Sequence, residues 1–488
     1  MSERTEQLEQ RVLEALPKGL FIGGEWVATA KTIPVENPAT GQAFAEVADA
    51  TPEQAMQALD AASDAAAGWA ASNPRDRAEI LRRIFTLIAE KKELFAALIT
   101  MEMGKSYAEA LGEVAYGNEY VRWFSEQACR INGSNGIAPS SGRRIITDKV
   151  PVGPVLAIAP WNFPLAMLTR KMAPALAAGC TVVLKPAKLT PLTTTLLATV
   201  LQEAGVPAGV VNVYTTSRSG ATTTPLINDP RLRKITFTGS TEVGVGLLQQ
   251  AANRVLRTSM ELGGNAPLIV LPDADLEVAV QGAMDAKMRN VGESCIASNR
   301  LLVHESIVDE FTRRFAERMS ALTVGYGLED GVTTGPLIDA TQRNTVMELV
   351  QDAIDKGGKV ATGGNVIDRP GYFMEPTVIS GITPDARIHR EEIFGPFAPV
   401  ISFATQDEAL TMANDTDFGL ASYVFSADVA HAMKFGEGIE SGMVGINTGL
   451  ISDAAAPFGG VKMSGLGREG AEVGIEEFLE TKYYAVPR

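Results

Sequence analysis

The segment Val155-Leu-Ala-Ile-Ala-Pro-Trp-Asn-Phe-Pro164 joins five apolar residues to a turn bounded by prolines. Three more short apolar runs follow it, at residues 181–184, 209–213 and 234–237, and stretches of helical character separate them. Alternation of this kind is typical of buried strands joined by crossover helices. The pattern therefore predicts a parallel, doubly wound α/β sheet.

A second series of the same kind begins after residue 265. It contains apolar runs at residues 266–270 and 300–303, a helical stretch at 308–322, and further strands near Val360 and Val400. A chain of 488 residues has room for two or three domains at ~100 to 200 residues each. We therefore expect a second α/β domain.

One helical stretch and two strand-like segments lie outside the two α/β series. Residues 56–103 repeat apolar side chains at steps of three and four, with a break at Asn73-Pro74, which predicts an N-terminal layer of helices. Residues 143–149 and 482–486 are strand-like and lie outside both series. We interpret these two segments as arms that pair across subunits.

The charge balance argues against a nucleic-acid partner. The chain has 43 Lys and Arg residues against 58 Asp and Glu, a formal net charge of −15, which repels phosphate backbones and anionic membrane surfaces. The longest apolar stretch, residues 172–184, has 13 residues, whereas a spanning helix needs roughly 20. The opening Met1-Ser-Glu-Arg-Thr-Glu-Gln7 does not resemble a secretory signal. We expect no membrane partner and a cytoplasmic location.

The three cysteines differ in their surroundings. Cys295 lies in Asn290-Val-Gly-Glu-Ser-Cys-Ile-Ala-Ser-Asn-Arg300, a small and polar setting that suits a nucleophilic thiol as well as a structural one. Cys129 and Cys180 follow helical or apolar patterns and are predicted to serve packing. The three histidines are far apart, so we predict no metal site.

Two polar residues stand where a ligand would bind. Asn162 follows the first apolar strand, at the carboxyl end where open α/β sheets place ligands, and its amide is suited to hold an oxyanion. Glu261 opens Glu261-Leu-Gly-Gly-Asn-Ala-Pro267 and is a candidate general base. Taken alone, Asn162 also fits a simple turn residue and Glu261 a surface residue at a strand end.

Two glycine-containing motifs are candidates for a dinucleotide-binding site. Thr238-Gly-Ser-Thr-Glu-Val-Gly244 follows a strand and opens a helix, so its amides suit a pyrophosphate, although the pattern alone is weak. Gly465-Leu-Gly-Arg-Glu-Gly470 matches G-x-G-x-x-G, but no strand precedes it and too little chain follows for a βαβ unit. We reject the second motif as a dinucleotide fingerprint.

Taken together, the motifs resemble the aldehyde dehydrogenase superfamily over nearly the whole chain. The resemblance rests on Pro160-Trp-Asn-Phe-Pro164, Lys185-Pro-Ala187, Gly239-Ser-Thr241, Glu261-Leu-Gly-Gly264, Cys295 and Glu391-Glu-Ile-Phe-Gly-Pro396, in this order. It implies an α/β fold with a Rossmann-like cofactor domain, an α/β catalytic domain and a small β oligomerisation arm. The implied bounds are 1–127 and 150–260 for the dinucleotide-binding domain, 261–465 for the catalytic domain, and 128–149 and 466–488 for the arm.

The resemblance also implies a mechanism. The thiolate of Cys295 attacks an aldehyde, Asn162 holds the oxyanion of the thiohemiacetal, and Glu261 activates the water that hydrolyses the thioester. Hydride passes to a nicotinamide cofactor. No metal is implied.

The resemblance also assigns contacts with the nicotinamide cofactor. The resemblance implies that Lys185 contacts the adenosine ribose, Ser240 the pyrophosphate and Glu392 the nicotinamide ribose. The remaining implied contacts are Trp161, Gly239 and Phe394. Lys188 stands where the family often has a glutamate that repels a 2′-phosphate, so NADP is expected in preference to NAD, with NAD also possible. A solvent-facing Lys188 is the alternative, and Arg218 is a second candidate cation for the phosphate.

Within the family the chain most resembles the succinate-semialdehyde dehydrogenases, in which two arginines and a serine hold the distal carboxylate. These map to Arg170, Arg289 and Ser452. The alternatives are another acidic semialdehyde such as glutarate semialdehyde, a general aldehyde, acyl transfer to coenzyme A, and a non-catalytic structural or binding protein. Ala297 occupies the position of a second cysteine in some members, so no regulatory disulfide is expected.

The resemblance further implies a homodimer or a homotetramer and a small-molecule aldehyde substrate. Breakdown of 4-aminobutyrate and an oxidative bypass of the citric acid cycle both use such a reaction. The sequence does not choose between these two pathways.

Overall fold

The computed structural model describes residues 3–487. Met1, Ser2 and Arg488 lie outside the described residues, and the first two belong to the segment judged above not to be a signal. None of the helices in residues 3–487 is long and apolar enough to cross a membrane.

The helices and strands occur in an order close to the predicted one. The α-helices are α1 Glu3–Ala15, α2 Pro52–Ala70, α3 Pro74–Glu90, α4 Lys92–Met103, α5 Tyr107–Gln127, α6 Ala166–Ala178, α7 Leu192–Glu203, α8 Ser219–Asn228, α9 Thr241–Ala252, α10 Leu276–Met288, α11 Val308–Ser320, α12 Ala340–Asp355, α13 Gln406–Asn414, α14 Val429–Gly436 and α15 Val473–Glu476. The strands are β1 Leu20–Ile22, β2 Glu25–Val27, β3 Thr32–Asn37, β4 Gln42–Ala48, β5 Ser134–Ile137, β6 Arg144–Pro151, β7 Val155–Ile158, β8 Val182–Lys185, β9 Val211–Val213, β10 Lys234–Thr238, β11 Arg257–Glu261, β12 Ala266–Val270, β13 Ser298–His304, β14 Lys359–Thr362, β15 Thr377–Ser380, β16 Phe397–Phe403, β17 Phe418–Gly419, β18 Ala421–Phe425, β19 Met443–Ile446, β20 Val461–Lys462, β21 Gly465–Leu466 and β22 Leu479–Val486.

The predicted N-terminal helical layer is present as α2, α3 and α4. The side chain of Thr51 accepts from the backbone of Gln54 and so begins α2, and Pro74 occupies the first turn of α3. The break predicted at Asn73-Pro74 is confirmed, since Asn73 is the residue that precedes α3.

An eight-stranded sheet carries the first α/β series, in the order β2-β1-β9-β8-β7-β10-β11-β21. The five strands from β9 to β11 are parallel, which confirms the predicted parallel sheet, and the strands at both edges pair antiparallel. Ile158 pairs with Lys185, and Thr238 pairs with Glu261. The carboxyl ends of these parallel strands therefore lie along one edge, next to the segments that follow them.

A seven-stranded sheet carries the second series, in the order β14-β15-β16-β13-β12-β18-β19. All of its pairs are parallel except β14 with β15. Only residues 262–265 separate β11 of the first sheet from β12 of the second. The end of β11, which carries Glu261, therefore lies at the junction of the two sheets.

The two strand-like arms pair with each other in a third sheet, in the order β22-β6-β5. Leu479 pairs with Pro151 and Val486 with Arg144, and most of β22 is exposed. Pairing across subunits and the domain boundaries given above stay predictions.

One cysteine prediction is wrong. Cys129 is exposed because it lies in the short 3₁₀ helix Ala128–Arg130 after the end of α5. Cys180 is buried as predicted, and its Sγ lies 3.4 Å from the backbone oxygen of Phe478.

Gly465 lies in β21, the edge strand of the first sheet beside Glu261. It pairs with Glu261 across β21 and β11, has φ of +141°, and a Cβ at this position would lie 2.0 Å from the backbone oxygen of Met260. We expect Gly465→Ala to lower the free energy of unfolding by about 1–3 kcal/mol through strain and displacement of β21. Turnover should fall as well, because the backbone that carries Glu261 must move.

Calorimetric melting and a turnover assay check this expectation. The control is Gly68→Ala in α2, where a Cβ meets nothing within 4 Å and alanine suits the helix. A Gly465→Ala protein that melts and turns over like the Gly68→Ala protein would contradict it.

Candidate active site

Cys295 lies on the segment between α10 and β13, at a cavity of about 270 Å³. The thiol is half-buried, and the cavity is also lined by Asn162, Trp161, Glu392 and Phe394. Burial raises the pKa of the Cys295 thiol to about 12, and the Arg170 guanidinium acts in the opposite direction. The Cys295 thiol is therefore neutral near pH 7.

The backbone before Cys295 is strained. Asn290 and Val291 have φ of 59° and 58°, in the left-handed region that costs a non-glycine residue roughly 1–3 kcal/mol. Two contacts hold this turn: the backbone N–H of Asn290 donates to Glu109, and its side-chain Nδ2 donates to the backbone oxygen of Glu293 at 2.8 Å. Cys295 thus follows a strained turn that these two hydrogen bonds stabilise.

Asn162 lies 4% exposed at the carboxyl end of β7. Its Nδ2 donates to the backbone oxygen of Glu293 at 2.9 Å, and its own backbone oxygen accepts from Lys105 at 2.8 Å and from Asn290 at 3.1 Å. An amide nitrogen carries two hydrogens, so one remains for a ligand in the cavity beside Cys295.

Glu261 ends β11 and is 2% exposed, so it is not the surface residue that its sequence also allowed. Burial and the nearby Glu469 carboxylate raise its pKa well above the ordinary value, while Arg170 and Lys171 act against them. Its Oε2 has no hydrogen-bond partner among the described residues. A free carboxyl oxygen of high proton affinity suits a general base.

Arg170 and Lys171 are both buried in α6 and both pair with Glu469. Lys171 also donates to Thr238 at 2.6 Å, and the Arg170 guanidinium stacks 4.2 Å from the ring centre of Phe458. Although burial opposes ionisation, the two cations lower the pKa of Glu469. Sequence reasoning missed Lys171 and Glu469, and the available signal was a pair of cations inside an otherwise apolar helix.

A larger cavity of about 700 Å³ is lined by Arg289 and Ser452. Arg289 Nη1 donates to Ser452 Oγ at 3.2 Å, and its guanidinium lies 5.3 Å from the ring centres of both Tyr116 and Phe163. Arg170 does not line this cavity, because it is buried against Glu469 and Phe458. The structure therefore brings together two of the three residues mapped to a substrate carboxylate, but not Arg170.

Five of the residues expected to contact a dinucleotide line the 270 Å³ cavity, namely Trp161, Gly239, Ser240, Glu392 and Phe394. The rings of Trp161 and Phe394 meet edge to face at 5.4 Å, and Glu392 accepts from the backbone of Gly264 at 3.2 Å. Lys185 is buried at the end of β8, and burial lowers its pKa to about 8. Lys188 is exposed and lines a separate cavity of about 460 Å³ beside Ser217.

A dinucleotide fits these residues. Ser240 begins α9 without using its side chain as a cap, so the hydroxyl and the first amides of the helix remain for an anion. At Gly239 a Cβ would lie 2.4 Å from the Phe237 ring, so a side chain does not fit there. The backbone beside the cavity is therefore not covered by a side chain at this position. No group of His, Cys, Asp and Glu suited to a metal ion occurs in residues 3–487.

A cavity lined by a cysteine thiol, beside a buried carboxyl and at the carboxyl edge of a doubly wound sheet, is typical of a dinucleotide-dependent oxidoreductase. The model of the aldehyde dehydrogenase family matches residues 26–484. The chain belongs to the aldehyde dehydrogenase family, which confirms the expected fold and class of enzyme.

Its relatives are similar over nearly their full lengths. A succinate-semialdehyde dehydrogenase of Paenarthrobacter nicotinovorans is 54% identical over 91% of this chain and 98% of its own. The NADP-dependent succinate-semialdehyde dehydrogenase of Escherichia coli K12 is 45% identical, covering 96% and 97%. A glutarate-semialdehyde dehydrogenase of Pseudomonas aeruginosa is 47% identical, covering 95% and 96%. The crystal structure of a succinate-semialdehyde dehydrogenase from Burkholderia pseudomallei matches with a TM-score of 0.95 at 44% identity, covering 97% and 99%.

The neutral state of Cys295 has a measurable consequence. Because the thiol pKa is raised to about 12, its alkylation by iodoacetamide should speed up about tenfold for each pH unit between pH 7 and 9, without a plateau. Peptide mass spectrometry of a Cys129→Ser protein measures this rate without the exposed thiol. A rate that levels off below pH 9 would show that burial does not control this thiol.

Proposed function

We propose that the enzyme oxidises succinate semialdehyde to succinate, with NADP as the preferred hydride acceptor and NAD as a possible one. The observation that carries the proposal is the Arg289–Ser452 pair on the wall of the 700 Å³ cavity. Arg289 lies six residues before Cys295, on the same connection between α10 and β13. The Arg289 guanidinium and the Cys295 thiol, on one connecting segment, suit a substrate with a carboxylate at one end and an aldehyde at the other.

The first step uses Cys295 and Asn162. The thiol gives its proton to a solvent water as sulfur bonds to the aldehyde carbon, and the carbonyl oxygen becomes the oxyanion of a thiohemiacetal. The free hydrogen of Asn162 Nδ2 and the backbone N–H of Cys295 donate to that oxygen. The dinucleotide, when bound, accepts the hydride that leaves the thiohemiacetal carbon. Trp161, Lys185, Gly239, Ser240, Glu392 and Phe394 would hold it.

The second step uses Glu261. Its carboxylate takes a proton from water, the hydroxide oxygen bonds to the thioester carbon, and the bond from carbon to Cys295 sulfur breaks. The acid leaves and the sulfur regains a proton. The raised pKa makes the ionised Glu261 a stronger base than an exposed glutamate.

The distal carboxylate of the substrate is proposed to bind Arg289 and Ser452. The aromatic rings of Tyr116 and Phe163, each 5.3 Å from the guanidinium, restrict its direction. Arg170 is left out of this contact, because Glu469 already pairs with it. Glutarate semialdehyde is the second candidate, since one more methylene changes the energy by only ~1 to 3 kcal/mol and a relative of similar identity carries that name.

We further propose a homodimer or a homotetramer in the cytoplasm. The β22-β6-β5 sheet supports the assembly because its outer strands leave backbone groups free at both edges and Tyr483 is 57% exposed.

Replacing Arg289 tests the substrate. Arg289→Met should raise KM for succinate semialdehyde by about 10-fold to 100-fold, because the substrate loses one hydrogen bond to a charged group. KM for butanal, which has no carboxylate, should stay nearly unchanged. Steady-state formation of NADPH measures both. Arg318→Met is the control, since Arg318 lines the same cavity but pairs with Glu277. Equal losses on both aldehydes would exclude Arg289 as the carboxylate site.

Replacing Lys188 tests the cofactor preference. Lys188→Glu should lower the ratio of kcat/KM for NADP to that for NAD by roughly tenfold or more, because a carboxylate repels the 2′-phosphate. Lys359→Glu, an exposed change on β14, is the control of equal charge. An unchanged ratio would mean that Lys188 faces solvent and does not select the cofactor.

A further inference from the structure

Asn299 is a buried residue whose side-chain amide bonds the backbone on both sides of Glu392. It is the second residue of β13 and is 3% exposed. Its Oδ1 accepts from the backbone N–H of Ile393 at 2.8 Å, and its Nδ2 donates to the backbone oxygen of Glu391 at 3.0 Å. The same nitrogen lies 3.3 Å from the backbone oxygen of Ile388. Because one side chain bonds the residue before Glu392 and the residue after it, Asn299 limits the positions that the backbone of Glu392 can take.

A second buried amide, that of Asn265, supports the first. Its Oδ1 accepts from Asn299 Nδ2 at 2.8 Å, and its Nδ2 donates to the backbone oxygen of His389 at 3.0 Å. The backbone N–H of Gly264, the residue before Asn265, donates to Glu392 Oε1 at 3.2 Å. The backbone and the carboxyl of Glu392 are therefore both held by residues at or just before the start of β12 and β13.

The loop of residues 388–394, which Asn299 holds, is strained where it adjoins the dinucleotide cavity. Phe394 has φ of 52°, a conformation that a non-glycine residue keeps only where its surroundings hold it, and its backbone oxygen accepts from Gln342 at 2.8 Å. Glu392 and Phe394 line the 270 Å³ cavity together with Cys295, whereas Asn299 does not. Asn299 therefore acts on a ligand in this cavity through the loop.

We propose that Asn299 is a positioning residue that holds Glu392 in the place where Glu392 binds the nicotinamide ribose. The inference rests on the proposed function, in which Glu392 is one of the residues that hold the dinucleotide. A loop that already has its binding conformation need not be ordered when the cofactor arrives, so the affinity for the cofactor is higher. Without the Asn299 amide, the buried N–H of Ile393 loses its partner, and the loop moves to satisfy it.

Binding measurements on the full-length protein test this role. Calorimetric titration with NADPH, and separately with 2′,5′-ADP, gives the affinity for the whole cofactor and for its adenosine half. Asn299→Ala should weaken NADPH binding about tenfold, the order of one hydrogen bond, and leave 2′,5′-ADP binding unchanged.

The matched control is Asn212→Ala. Asn212 is also a buried strand residue whose amide bonds the backbone at two places, since its Oδ1 accepts from Gly23 and its Nδ2 donates to Gly209, both at 2.8 Å. Neither glycine lines the 270 Å³ cavity, so this variant should change neither affinity.

A double-mutant cycle separates a specific role from a general loss of stability. Glu392→Ala should weaken NADPH binding at least as much as Asn299→Ala does, and Asn299→Ala in the Glu392→Ala background should add little. Losses that add in full, or an Asn299→Ala protein that binds 2′,5′-ADP more weakly, would overturn the inference. Equal NADPH affinity of the wild-type and Asn299→Ala proteins would overturn it while leaving the proposed function intact. A wild-type protein that binds neither ligand would overturn both.

Hydrogen exchange on the wild-type protein gives a test that does not need a folded variant. Because Asn299 holds the loop before any ligand binds, the peptide that contains residues 388–394 should exchange slowly in the free protein and at nearly the same rate with saturating NADPH. Mass spectrometry measures both rates. Rapid exchange that becomes slow when NADPH is added would mean that the cofactor orders the loop, and it would overturn the inference.

Discussion

The ion cluster of Arg170, Lys171 and Glu469 is the interaction on which the rest of the site depends. Every residue of α6 is buried, so two adjacent cations in this helix are tolerated only because one carboxylate faces both. That carboxylate comes from the loop after β21, whose strand pairs with Glu261. The same cluster therefore joins α6, the end of the first sheet and Glu261. It also moves the two carboxyls apart in pKa, because the cations lower the pKa of Glu469 whereas burial and Glu469 raise that of Glu261.

Buried carboxylates of α4 and α5 play a related role at the crossover helices. Glu113 accepts from the backbone of Leu165 and Ala166 where α6 begins, and Glu102 accepts from Leu192 and Thr193 where α7 begins. The first amides of a helix have no partner within it, and a carboxylate also suits the positive end of the helix dipole. Helices α4 and α5 thus supply the groups that begin α6 and α7, the helices that precede and follow β8.

The sequence predicted the structure well where all residues of a pattern lie within one short segment. The strands of both series and the break at Asn73-Pro74 followed from short apolar runs and turn residues, and Asn162, Cys295, Glu392 and Phe394 were found through their motifs and line one cavity. The prediction was weaker where a partner lies far along the chain. The pairing of Lys171 with Glu469 spans 298 residues, and nothing local to Arg170 shows that the same carboxylate occupies it. Cys129 was misjudged because the helical pattern continues past the end of α5, where the chain turns into an exposed 3₁₀ helix.

The position of Glu469 and β21 so late in the chain bears on how the protein is made. Cys295, Asn162 and Glu261 are all synthesised before the loop that completes their surroundings, and α6 holds two uncompensated cations until Glu469 arrives. A nascent chain on the ribosome can therefore form its parallel strands early, but it has no working site until residue 469 has left the exit tunnel. Protein truncated before this loop should carry Cys295 but lack the carboxylate that compensates Arg170 and Lys171, and should therefore show no turnover.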